Sequence, residues 1–99
     1  MSNSSFPEPL PASASAVQAK RWVRNLVFFV GAGFHPDTPF CDYVTPDGKP
    51  SFSPQQCQAL EAGLCAAWLV LETAGFDPYA VAYRAQRLLF RRSLKKPHP

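Results

Sequence analysis

The sequence predicts an all-α fold: a small bundle of three main helices with a packed proline-rich connector that carries one short helical turn. Three observations lead there. Apolar residues recur at spacings of three and four in three stretches, each stretch opens on a residue suited to cap a helix, and glycine follows the first two. The 99 residues, 46% hydrophobic and 13% aromatic, are enough for one domain with its own core and without metal or disulfide staples.

The central stretch, Ser53 to Gly75, is the best defined. Ser53 suits the N-cap, Pro54 the first helical position, where a missing N–H costs nothing, and Gln56 can close a capping box. Phe52 is placed to clasp Cys57 as a hydrophobic staple. Cys57, Leu60, Leu64, Ala67, Trp68, Leu71 and Ala74 then share one face, while Gln55, Gln58, Glu61, Ala62, Glu72 and Thr73 fall opposite. Leu69 stands alone as an apolar residue on the polar side. Gly75 supplies the left-handed stop.

The first helix is expected from Ser15 to about Ala32, where Ala16, Ala19, Trp22, Val23, Leu26, Val27, Phe29 and Val30 suit a helical pattern. Residues 26–30, Leu-Val-Phe-Phe-Val, taken alone also suit a buried strand, and the length of the surrounding pattern decides for helix. Ala32-Gly33-Phe34-His35-Pro36 and Ala74-Gly75-Phe76-Asp77-Pro78 look like the same chain reversal used twice, which shared capping chemistry explains without a repeat. Between the helices, Thr38-Pro39 begins a helical turn and Pro46-Asp47-Gly48 is a turn signal. The apolar mass of Phe34, Phe40, Tyr43, Val44 and Phe52 lets this connector pack on the helices.

The last helix starts at Asp77 as N-cap with Pro78 next and runs to about Ser93. Its link to the central helix is so short that the two must be neighbours, as an antiparallel hairpin or at a steeper crossing. Tyr79, Ala82, Tyr83, Leu89, Phe90 and Leu94 make a wide apolar face on it. Residues 1–14 read as a disordered Ser/Pro-rich tail, 15–94 as a single helical domain, and 95–99 as a basic tail.

The net charge of +3 is unevenly spread. Lys20, Arg21 and Arg24 precede an acidic middle, in which Asp37, Asp42, Asp47, Glu61, Glu72 and Asp77 face Lys49 alone, and the end is wholly basic. Arg84, Arg87, Arg91, Arg92, Lys95 and Lys96 are the candidates for phosphate or nucleic-acid contacts, with Trp22, Tyr79 and Tyr83 available for stacking. Cations near a helix C-terminus are also favoured by the helix dipole, so the stripe has an ordinary structural explanation.

Catalytic and metal chemistry finds little support. His35, Asp37 and Asp42 are the polar site candidates, with Cys41 and Asp47 nearby, yet they match no nucleophile, zinc or calcium-loop spacing, and His35 is well explained as a turn residue before Pro36. No cofactor motif is present, since Gly31-Ala32-Gly33 lacks a third glycine and a following helix. Cys41, Cys57 and Cys65 leave one thiol over in any disulfide scheme, and no signal peptide or membrane-length apolar run is legible, so a cytoplasmic protein with no membrane contact is expected. The leading functional expectation is a protein-interaction module forming a homodimer, with Leu69, Tyr79, Tyr83 and Phe90 at the interface. A nucleic-acid-binding accessory protein comes second and an enzyme or metal site at His35 last.

Overall fold

The computed structural model describes residues 6–94, the side chains of 93 and 94 excepted. Three α-helices, α1 (Ala16–Val30), α2 (Pro54–Thr73) and α3 (Pro78–Leu94), and a 3-10 turn at Phe40–Asp42 make an all-α fold; among the described residues the only extended pairing is an isolated bridge between Val44 and Pro50. Residues 1–5 and the basic tail 95–99, Lys95 and Lys96 included, lie outside the described residues.

Capping chemistry sets nearly every helix boundary. Ser15 and Gln18 form a reciprocal capping box at α1, and Ser53 and Gln56 form another at α2, so each pair satisfies two N–H groups that the helix itself cannot. α2 closes in a Schellman arrangement: the Phe76 N–H donates to the Leu71 carbonyl at 2.9 Å and the Gly75 N–H to Glu72 at 3.1 Å, with Gly75 at φ 88°. At α3 the Asp77 carboxylate accepts from the Tyr79 N–H at 3.0 Å. α1 ends two residues earlier than the sequence suggests. Gly31, at φ 98°, stops the helix after Val30, whereas Gly33 has no positive φ, so the two Gly-Phe-x-Pro segments are not equivalent reversals.

The short link settles the crossing of the last two helices, because the axis turns by 115° between α2 and α3. They diverge from this elbow, and α1 packs on both of them. The core therefore follows α1: Ala19, Trp22, Val23, Leu26 and Val27 cluster with Leu60, Ala67 and Leu71 of α2 and with Ala82 and Ala85 of α3. Leu64, expected in the middle of the α2 buried face, is only half-buried, because that face points at α1 along Leu60, Ala67 and Leu71 and leaves Leu64 and Trp68 on its flank. Gly63 has the closest neighbour of any glycine. A Cβ placed there would lie 2.2 Å from Cζ2 of Trp22, so the indole occupies the space that a side chain on α2 would need.

The buried face of α3 is also rotated from the expected one. Pro78, Ala82 and Ala85 turn inward with Leu89 half-buried, while Tyr79, Tyr83 and Phe90 sit roughly a quarter turn away and are exposed. Small residues at 82 and 85 allow α1 to approach, which explains why the aromatic side chains cannot face it.

The connector packs as a small aromatic cluster on α2. Phe34 and Phe40 are buried and stacked with centroids 6.5 Å apart, and Phe52 meets Phe40 edge-on at 6.1 Å. Val44 departs from expectation by facing solvent beside a tight turn, in which the Gly48 N–H donates to Thr45 at 2.8 Å and Gly48 takes φ 86°. Packing also extends upstream of Ser15, into the expected tail. Pro7 is buried, Phe6 meets Phe29 at 5.5 Å, and the Trp22 Nε1–H donates to the Glu8 carbonyl at 2.7 Å. A buried indole needs an acceptor for its N–H, and here the Pro-rich segment supplies it.

Candidate interaction site

Two concave surfaces lie on either side of the α2–α3 elbow. The first is a groove of about 410 Å³ between α1 and α3. Positions 17, 20, 21 and 24 fall on one flank of α1 because they are separated by three and four residues, and this flank faces Val81, Arg84 and Leu88 of α3 across the groove. Its floor is apolar, from Val17, Phe76, Ala80, Val81, Ala85 and Leu88, and among the described residues its charged walls are Lys20, Arg21, Arg24 and Arg84 against Asp77 alone. The Lys20 ammonium sits 3.6 Å from the centre of the Phe76 ring, a cation–π contact that covers one ring face. No ion pair neutralises Arg21, Arg24 or Arg84 among the described residues.

The second surface is a shallower hollow of about 510 Å³ between the connector and α2, with Leu64, Trp68, Leu69 and Tyr79 as its apolar lining and Asp37, Glu61 and Glu72 as its charges. Trp68 meets Tyr79 edge-on at 5.1 Å, and the Tyr79 hydroxyl donates to Asp37 at 2.7 Å, which ties the connector to α3. That hydrogen bond, then the carboxylate's charge, raises the Tyr79 phenol above its ordinary value.

No family model, curated protein or solved structure matches the chain.

The polar candidates of the connector do not converge. His35 is exposed and its Nδ1 accepts from the Asp37 N–H at 3.2 Å, while its own N–H and carbonyl are both bonded to the Tyr43 hydroxyl. Asp37 is taken up by Tyr79, and Asp42 lies beside Cys41, with 3.7 Å between Sγ and Oδ1. Among the described residues no three metal-ligating side chains come together. Desolvation and then the Asp42 carboxylate push the Cys41 thiol above its usual value, the opposite of what activates a nucleophile.

Arg84, Arg87, Arg91 and Arg92 are all exposed, and Arg92 lies 5.0 Å from the Phe28 ring centre. Trp22 is not available for stacking, being 6% exposed with its N–H bonded. Leu69, Tyr79, Tyr83 and Phe90 are exposed, at 65, 38, 43 and 61% respectively. The groove escaped the sequence reading because it is made by flanks of two helices distant in sequence. The one available signal was the grouping of Lys20, Arg21 and Arg24 beside Val17. Among the described residues no single helix is long and apolar enough to cross a membrane.

Proposed function

We propose that this chain is a small helical protein-interaction module that self-associates. The supporting observation is an apolar strip that runs from Leu69 and Trp68 on α2, across the elbow through Tyr79, to Tyr83 on α3, with Phe90 exposed on the same face two turns further along. Large apolar side chains that touch across two elements differ from the scattered single exposures usual on a monomer. A second copy is the occupant that charge favours, since the rim carries Asp37, Glu61 and Glu72 while the adjoining outer face of α3 carries Arg87 and Arg91. In a two-fold arrangement each acidic rim meets the partner's arginines, so association weakens with salt while the apolar contact persists.

Sedimentation equilibrium at micromolar concentration tests this. A mass near twice the 10.9 kDa of one chain, reduced to one chain by Leu69→Asp or Phe90→Asp, is expected. A single 10.9 kDa species at every concentration refutes it.

Nucleic-acid binding is a second reading, favoured by the exposure of Arg84, Arg87 and Arg91 on one side of α3. It is the weaker one. Tyr79 and Tyr83, which would stack on bases, lie on the flank next to Asp37, whose carboxylate repels a phosphate backbone. Retention on heparin with a steep salt dependence would favour it.

A further inference from the structure

The groove between α1 and α3 lies on the other flank of α3 from the strip assigned above to self-association, and its chemistry differs. We infer that this groove holds an acidic amphipathic segment of a second protein, with apolar side chains on the floor and carboxylates against Arg21, Arg24 and Arg84. The inference deepens the interaction-module reading but is independent of self-association.

Charge complementarity carries the argument. Arg21 and Arg24 stand on one wall and Arg84 on the other, all three without an ion pair among the described residues, and Asp77 is the single acid of the lining. The Asp77 carboxylate caps α3 by accepting from the Tyr79 N–H and makes no ion pair with the three arginines among the described residues, and one acid cannot balance them. Guanidinium groups on both walls above aliphatic side chains match a segment that carries Asp or Glu beside Leu, Ile or Phe, because such a segment satisfies the forked donors and covers the floor together.

A nucleic acid uses only half of this surface. Its phosphates would meet the arginines, but among the described residues Phe76 is the only aromatic ring lining the groove and Lys20 covers one face of it, so at most one base could stack there and most of the aliphatic floor would stay wet. The acidic hollow of a second copy is the other source of carboxylates. Its Asp37, Glu61 and Glu72 surround a concave surface, and two concavities do not seat in one another.

The test starts from the full-length chain panned against a display library of random dodecapeptides. The enriched peptide is then titrated, fluorescein-labelled, against wild type, Arg21→Glu/Arg24→Glu, Arg24→Gln/Arg84→Gln and Val81→Asp. The enriched sequences should combine acidic with large apolar residues, and each variant should weaken binding by at least about tenfold at low salt. Replacing the peptide's acids with amides should do the same. Arg21, Arg24 and Arg84 are exposed, so far-ultraviolet circular dichroism should leave the fold of the arginine variants unchanged, and Arg24→Lys/Arg84→Lys should retain part of the affinity. Several results overturn the inference: no enrichment, enrichment without acidic residues, affinities unmoved by the charge reversals, or tighter binding of a single-stranded oligonucleotide than of the peptide. So does loss of self-association in the Arg21→Glu/Arg24→Glu chain, which would assign the groove to the dimer instead. Failure of self-association alone, with peptide binding intact, would leave this groove standing.

Discussion

Gly63→Ala sets two ordinary effects against each other. In an exposed helix this substitution stabilises by about 1 kcal/mol, because alanine loses less backbone freedom on folding. At this position the new methyl would lie 2.2 Å from Cζ2 of Trp22 and 2.7 Å from Cη2, well inside contact distance. The indole has little room to retreat, since Trp22 is 6% exposed and its N–H is held by the Glu8 carbonyl at 2.7 Å. Overpacking of this kind costs about 1–3 kcal/mol, and a lost hydrogen bond adds about 1 kcal/mol. The net expectation is a destabilisation of about 1–3 kcal/mol, measured as a fall in the urea midpoint by far-ultraviolet circular dichroism. The decisive comparison is the same change in a Trp22→Phe chain. Phenylalanine lacks the Cζ2 and Cη2 atoms, so there Gly63→Ala should become neutral or stabilising by up to about 1 kcal/mol. A higher midpoint for Gly63→Ala in the Trp22 chain would refute the close approach of α1 and α2.

Three further substitutions probe separate parts of the fold. Leu60→Ala should cost about 2–5 kcal/mol by urea denaturation and Leu64→Ala clearly less, because Leu60 is fully buried and Leu64 lies at the edge of the hollow. Asp77→Ala should lose about 1 kcal/mol as the α3 cap, and Gly75→Val should lower the melting temperature further, since a β-branched residue is penalised at φ 88°. The Tyr79 phenol, raised by its bond to Asp37, contributes stability that is complete below the ordinary tyrosine value of 10.0 and is lost as pH climbs through the raised folded value. Alkaline denaturation should therefore be shallower in Tyr79→Phe than in wild type, and identical curves would mean that the bond does not survive in solution.

Much of the fold was legible because local chemistry and periodicity agree. Ser53, Gln56, Gly75 and Asp77 announce their roles by type and position alone, and the structure places each of them in the expected bond or dihedral angle. What could not be read was the direction of each apolar face when a helix has two neighbours. The α3 pattern offered aromatic side chains at 79, 83 and 90 and small ones at 82 and 85, and a wheel of spacings does not say that α1 requires the small ones. Gly63 had no visible reason to be glycine until Trp22 was seen across from it. The groove was hidden for the same reason, because no single segment contains it. His35 drew notice as a residue type, but its Nδ1 proves to serve a local turn.

The burial of Phe34 and Phe40 makes residues 31–53 more than a tether between α1 and α2. A free linker affects stability only through the effective concentration it gives its two ends, and doubling its length costs about 0.6 kcal/mol. Here the two halves of that segment differ in kind. Extra residues spliced in at Pro46-Asp47-Gly48, where the chain is solvated, cost closure entropy and the exposed turn hydrogen bonds of Thr45, whereas removal of the stretch around Phe40 takes away part of the surface on which α2 rests. Changes in length should thus be tolerated at the outer turn, while the inner half must keep both its phenylalanines and its path.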